Sequence, residues 1–302
     1  MNGARDIDLA GLTSTRMHHP ERVAQLWAAR RRRSIGPGCD HLLLVAADHP
    51  ARGALGVRDD PMAMACRGDM LRRLAVALAR PGVDGVLGTP DVLEDLLLLG
   101  LLEDKVVFGS MNRGGIAGAT FELDDRFTGY DASHLAAAGL DGGKMLLRIA
   151  PDDAGSASTL EACARAVTDL ARHELLAMVE PFWSGRDRSG RVGNRLDPDS
   201  VVRSIHVAAG IGATSAYTWL KLPVVDDMQR VLDATTMPTL LLGGDPRDEP
   251  DVTYDRWREA LAHPVACGLV AGRTLLYPPD DQVADAVDIA SAIVHATKVR
   301  NA

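Results

Sequence analysis

At 302 residues, with 46% hydrophobic and 25% charged side chains, the chain has the make-up of a globular protein and is long enough for one large α/β domain or two small ones. Its formal charge of −8 argues against a nucleic-acid binder, which needs a basic surface. The longest apolar stretches, such as LEDLLLLGLLED, fall short of the roughly 20 residues of a membrane-spanning helix, so no membrane partner is expected.

MNGARDIDLAGLTSTR has no apolar core behind a basic start, so no secretory signal is read there and the cytoplasm is the expected location. PERVAQLW then has helical spacing and leads into arginines 30–33, read as the cationic end of an N-terminal helix. From here apolar runs and helical patterns alternate. HLLLVAA (41–47) is followed by PMAMACRGDMLRRLAVALAR, and DGVLG (84–88) by PDVLEDLLLLGLL, with Pro90 at an early helical position. KVVFGS (105–110) leads through a long polar loop to ASHLAAAG, and GKMLLRI (143–149) leads to ASTLEACARAVTDLARH. LLAMVEP (175–181) precedes DPDSVVRSIHVAAG, whose Asp and Ser are helix-start signals, and TSAYTWLKL (214–222) precedes VVDDMQRVLDA. PTLLLGG (238–244) and VACGLVAG (265–272) precede YDRWREALAH and DQVADAVDIASAIVHAT.

Eight strands and eight helices in strict βα order over roughly 250 residues predict an α/β fold, a (β/α)8 TIM barrel with an extra N-terminal helix. No Pro/Gly/Ser-rich linker interrupts the series, so residues 1–302 are read as one barrel domain with 1–38 as a helical leader. Cys39, Cys66, Cys163 and Cys267 have no paired spacing and are expected to be free, mostly buried thiols.

Lysine is scarce, four against twenty-nine arginines, and two of the four, Lys144 and Lys221, sit inside apolar runs. An ammonium among Trp219, Leu220, Leu222 and Val224 is costly unless paired or neutral, so Lys221 needs a chemical reason. In such barrels the working residues gather at the C-terminal ends of the strands. Those ends carry Asp48 and His49, then Asn112 and Arg113, Lys144 and Arg148, Glu180, Lys221, Gly243 and Gly244, and last Gly272 and Arg273. Singly, each has an ordinary structural explanation: Asp48 as a turn former, Glu180 as a solvated strand end, the glycines as permitting positive φ, Arg273 as a partner of Asp280 or Asp281.

Together they describe a reaction. Desolvation, helped by Lys144 as a second cation, lowers the pKa of Lys221 and frees an amine that forms an imine with a ketone or aldehyde. The iminium then serves as electron sink for cleavage of the neighbouring C–C bond, with Asp48 or Glu180 moving the hydroxyl and carbon protons. Asn112, Arg113 and Arg148 are placed to bind substrate. Backbone N–H groups of Gly243, Gly244 and Gly272, with Arg273, form the phosphate site that barrels build after their last two strands. The expected partner is a small phosphorylated sugar, with no cofactor and no metal, and a homo-oligomeric assembly is expected.

LLLVAADHP, GKMLLRI, VEP, WLKLP, LLLGG and GLVAGR, in that order over residues 40–280, resemble the class I aldolases of the bacterial fructose-bisphosphate and tagatose-bisphosphate type. The resemblance implies that Lys221 is the Schiff-base lysine, with Asp48, Lys144 and Glu180 as its polar companions and the late glycines holding phosphate. Pro50 stands where a glycine usually follows the histidine, and Arg148 where some relatives carry an aromatic hydroxyl acid. With the insertions SMNRGGIAGATFELDDRFTGYD and SGRDRSGRVGNR, these departures point to a specialised branch. It resembles the aldolases of inositol breakdown that split 5-keto-2-deoxygluconate 6-phosphate, or those of the deoxyribose-phosphate kind.

Two alternatives remain in the sequence. A metal-dependent barrel lyase needs several ligands at the rim, and of nine histidines only His49 lies clearly at a strand end. A non-catalytic sugar-phosphate-binding barrel would keep the anion site without the chemistry.

Overall fold

The apolar runs are strands buried on both faces, as a parallel sheet covered by helices requires. The computed structural model describes residues 7–36, 41–244 and 249–296. Its strands are β1 (Leu42–Ala47), β2 (Gly85–Gly88), β3 (Val106–Ser110), β4 (Gly142–Ile149), β5 (Leu176–Arg186), β6 (Val192–Arg195), β7 (Thr218–Leu222), β8 (Thr239–Leu242) and β9 (Ala266–Ala271). Eight of them lie parallel in the order β4-β3-β2-β1-β9-β8-β7-β5, and β4 pairs with β5 to close the ring. Helices run between the strands, so the fold is the (β/α)8 TIM barrel that the alternation predicts. The addition is β6, antiparallel to the far end of β5. Pro181 marks no strand end, because β5 continues past it to Arg186 and folds back as a hairpin over the barrel mouth.

Alternation by two decides where each side chain points. On β4, Met145, Leu147 and Ile149 pack against the helices, which turns Lys144, Leu146 and Arg148 into the barrel. The same parity turns Met178, Glu180 and Phe182 inward on β5, and Trp219 and Lys221 on β7. Leu42, Leu44, Phe108, Met178, Leu240 and Val270 fill the interior as an apolar plug. The inward polar side chains therefore stand on a dry floor, where their charges are strong.

The leader forms two short helices, Leu9–His18 and Glu21–Ala29, rather than one. The second ends at the first arginine, Arg30, where the backbone turns extended (φ −60°, ψ 130°), so none of the arginines lies in its last turn. Carboxylates and carbonyls at the entry ends of β2, β3 and β4 hold them instead. Arg33 pairs with Asp84 at 2.8 Å, Arg31 with Asp104 at 2.8 Å and Arg32 with Asp141 at 3.2 Å. Arg30 donates to the carbonyls of Lys105 (2.9 Å) and Gly139 (2.8 Å). The basic run thus clasps the closed face of the barrel, opposite the strand ends that carry the site.

Cys163 is buried, Cys267 half-buried and Cys66 exposed, all as free thiols, so burial is less general than expected; Cys39 lies outside the described residues. No helix among the described residues is long and apolar enough to cross a membrane.

Candidate active site

A cavity of about 570 Å³ opens among the C-terminal ends of the strands. Of the residues that the sequence singles out, His49, Lys221, Glu180, Arg113, Arg148, Gly243, Gly244, Gly272 and Arg273 line it.

Its centre is a relay of charges. Lys221 Nζ donates to Glu180 Oε1 at 2.8 Å, and Glu180 Oε2 is ion-paired with Lys144. Lys144 Nζ lies 3.3 Å from Asp48 Oδ2, which also accepts from Ser110 Oγ at 3.2 Å and pairs with the Arg113 guanidinium. Lys144 and Asp48 are 0% exposed and sit behind the wall, while Lys221 (4%) and Glu180 (7%) reach the cavity. Three cationic groups thus face two carboxylates in a deeply buried site, and the charges balance when one lysine is neutral.

The proton affinities follow from this geometry. Burial pushes both amines down, Lys144 well below the usual lysine value, with Arg113 adding to the effect on each. Burial opposes ionisation of Glu180, yet Lys144, Lys221 and Arg113 hold its carboxyl well below the ordinary range. Arg113 itself is pushed down to about 10 by burial. Because Glu180 touches both amines, a proton leaving Lys221 has a direct path to Lys144.

A second network supports the wall. Arg148 pairs with Asp125 at 2.6 Å and with Glu122 at 3.4 Å, and Glu122 also accepts from the Gly118 N–H (2.7 Å) and meets Arg52 at 3.5 Å. Asn112, expected at the substrate, does not line the cavity. Its Nδ2 donates to the Leu146 carbonyl (2.7 Å) and the Asp125 carbonyl (3.2 Å), and its Oδ1 accepts from the Leu146 N–H (2.7 Å). The whole amide is used in tying the loop after β3 to β4.

At the glycine-rich ends, Gly244 has φ +80°, which favours glycine, and a Cβ at Gly272 would stand 2.6 Å from the Ala46 carbonyl oxygen. Gly243 is not an open donor, since its N–H is bonded to the Val270 carbonyl at 3.2 Å. Arg273 donates to the Gly56 carbonyl at 3.3 Å. The carboxylates proposed as its structural partners are engaged elsewhere, Asp281 with Arg73 and Asp280 with the Gln282 N–H.

Several lining groups were not assigned from the sequence. Arg52 follows β1 within the short helix Pro50–Arg52, Glu122 comes from the long loop after β3, and Val192, Gly193, Asn194 and Leu196 come from the hairpin. The two insertions were the only signal for the last two.

The family model described as Cgl0159-like matches residues 40–291. The chain belongs to the Cgl0159-like family. Cgl0159 from Corynebacterium glutamicum, solved by crystallography, is 52% identical, with a TM-score of 0.93 over 96% of this chain and 97% of that one. More distant solved structures share the barrel. A Schiff-base-forming fructose-1,6-bisphosphate aldolase is 16% identical (TM-score 0.64, covering 90% of this chain and 99% of that one). An archaeal fructose-1,6-bisphosphate aldolase, whose catalytic Lys is covalently bound to the carbinolamine intermediate of its substrate, is 17% identical (TM-score 0.62, 91% and 99%). At such identities the likeness is one of fold. Comparison with curated proteins finds no match. Among the described residues of this Cgl0159-like chain, no group of three His, Cys, Asp or Glu side chains is arranged to hold a metal ion.

Proposed function

We propose that this Cgl0159-like protein is a metal-independent class I aldolase that makes or breaks a C–C bond in a phosphorylated sugar through a Schiff base on Lys221. The observation that carries the reading is the Lys221 amine at the cavity wall, 2.8 Å from Glu180 and backed by Lys144 and Arg113 in a deeply buried charge network. The lining residues give this amine, and not Lys144, access to substrate.

Lys221 gives up a proton through Glu180, and its neutral Nζ adds to the substrate carbonyl to form a carbinolamine. Glu180, now protonated, returns the proton to the carbinolamine oxygen, and water leaves to give the iminium. The electron pair of the neighbouring C–C bond flows into the iminium as a base in the cavity takes the proton of the adjacent hydroxyl, releasing an aldehyde and leaving an enamine on Lys221. Asp48 does not line the cavity, so it is a positioning residue that holds Lys144 and Arg113. Gly244, Gly272 and Arg273 hold the phosphate. The aldolases cited above, one Schiff-base forming and one with a carbinolamine on its lysine, support the reading by analogy of fold. A substrate such as 5-keto-2-deoxygluconate 6-phosphate, with a carboxylate and a phosphate, suits a cavity lined by Arg52, Arg113 and Arg273.

The test is a panel of phosphorylated sugars assayed for cleavage with wild type and Lys221→Met, each with and without EDTA. Methionine fills similar space in the strand, so the variant folds and loses cleavage, while chelation leaves the wild type active. Turnover retained by Lys221→Met would contradict the mechanism.

A further inference from the structure

Two buried polar atoms without hydrogen-bond partners among the described residues face each other in the cavity wall, Asp48 Oδ1 and His49 Nδ1, 3.8 Å apart. The other Asp48 oxygen is occupied by Ser110, Lys144 and Arg113. An orphan acceptor sealed beside an orphan ring nitrogen carries a desolvation penalty on both sides. Turning the imidazole to bring the two atoms together by about 1 Å reaches an ordinary N–H···O distance and removes both penalties. It also fixes the tautomer, with the proton on Nδ1 and the Nε2 lone pair free to accept.

The ring is placed to use that lone pair. His49 lines the cavity and its side chain is a quarter exposed, while Nδ1 is sealed, so the accessible edge is the one bearing Nε2. Gly272 makes room for it: a Cβ there would stand 3.3 Å from His49 Cε1. The other candidate bases are already engaged. Each Glu180 oxygen faces an ammonium, Glu122 is held by Arg148 and the Gly118 N–H, and Asp226 pairs with Arg256 at 3.5 Å.

We infer that His49, oriented by Asp48 through Nδ1, is the base that takes the substrate's hydroxyl proton during C–C cleavage and returns a proton to carbon afterwards. The inference rests on the Schiff-base reading and divides its proton transfers, leaving Glu180 to the nitrogen chemistry of Lys221. In the cleavage step the hydroxyl proton passes to Nε2 and the O–H electron pair becomes the second bond of the departing carbonyl. The C–C pair forms the enamine double bond, and the iminium nitrogen becomes neutral. The Nε2 proton then adds to the enamine carbon, which restores the iminium for hydrolysis by water. Burial first, then Arg273, Lys221 and Lys144, against Glu180, hold the imidazole well below its usual value, so the ring enters the cycle neutral.

The experiment uses His49→Ala and His49→Gln, with thermal melts to confirm folding. Dihydroxyacetone phosphate is the probe for partial reactions, and the phosphorylated sugar that the wild type cleaves is the probe for turnover. Both variants keep the borohydride-stabilised adduct on Lys221, because imine formation does not use His49. Exchange of the probe's carbon-bound proton with deuterated water and cleavage of the sugar both fall by about a hundredfold to ten-thousandfold. Free imidazole restores at least tenfold of the cleavage in His49→Ala. Cleavage within about threefold of wild type in a folded variant, parallel loss of adduct and cleavage, or normal exchange without imidazole rescue each overturn the role. Absence of adduct in the wild type removes the Schiff-base reading and this inference with it, an outcome distinct from the others.

Discussion

Glutamine in place of Glu180 keeps the size of the side chain and removes the one carboxylate that touches both buried amines. Arg113, Lys144 and Lys221 would then face Asp48 alone, in a wall where these side chains are at most a tenth exposed. Removing one member of a buried ion pair costs about 3–5 kcal/mol. The amide carbonyl still accepts from one amine, which sets the expected loss near 3 kcal/mol at pH 7, or about 5 °C in Tm for a chain of this size. The pH dependence has a definite sign. Burial already lowers both lysines below the ordinary value of 10.5 in the wild type and Glu180 opposes that shift, so without it the amines fall further, and between the variant's values and the wild type's the variant binds fewer protons when folded. Stability of the variant therefore rises as pH rises towards 10.5, and its deficit shrinks. In acid the wild type changes instead. The depressed Glu180 carboxyl contributes stability that is present above its unfolded value near 4.5 and is lost as pH falls through the folded value, so the two proteins converge again. Melts followed by circular dichroism from pH 2 to 9.5 should give a deficit that is full above about pH 4.5 and shrinks at both the acid and the alkaline end. A Tm within 2 °C of wild type at pH 7, or a deficit that is flat with pH, would refute the bridging role.

Arg113 lowers the pKa of Lys221, so Arg113→Gln should move the rising limb of kcat/KM, which follows the neutral amine, to higher pH; a move to lower pH would contradict the electrostatic coupling. Arg273→Ala removes a charge-assisted contact worth roughly 1.5–3 kcal/mol, for a loss of about tenfold to a hundredfold in kcat/KM on the phosphorylated substrate. Unphosphorylated analogues should change little, and an equal loss on both forms would make Arg273 structural. Asn112→Ala leaves backbone groups of Leu146 and Asp125 unsatisfied and should lower stability by about 3 kcal/mol while KM stays within threefold; a raised KM at unchanged Tm would return Asn112 to the substrate.

The barrel was legible because parallel strands covered on both faces must be continuous apolar runs, and HLLLVAA, KVVFGS and PTLLLGG have no other use in a chain of this kind. The hairpin was not. Pro181 reads as a strand end, and SGRDRSGRVGNR has the composition of a loop, although β5 runs through the first and pairs across the second. Lys221 was legible through the conflict between a charged side chain and an apolar strand, and Glu180 through its place at the C-terminal end of an apolar run. Depth was not legible: nothing local distinguishes Lys144, sealed behind the wall, from Lys221 at the cavity, because strand stagger around the ring decides it. Asn112 was misplaced for a related reason, since its position beyond β3 faces the β4 backbone instead of the opening. Arg52, Glu122 and the hairpin residues reach the cavity from segments outside the βα repeat, a short helix, a loop and an added strand, whose course is set by tertiary contacts.

The central claim is a covalent bond to one lysine. Wild-type protein incubated with dihydroxyacetone phosphate, reduced with borohydride, digested and mapped by mass should carry a single stable adduct on the peptide containing Lys221, and Lys221→Met should carry none. No adduct in the wild type, or an adduct on Lys144, would contradict the account.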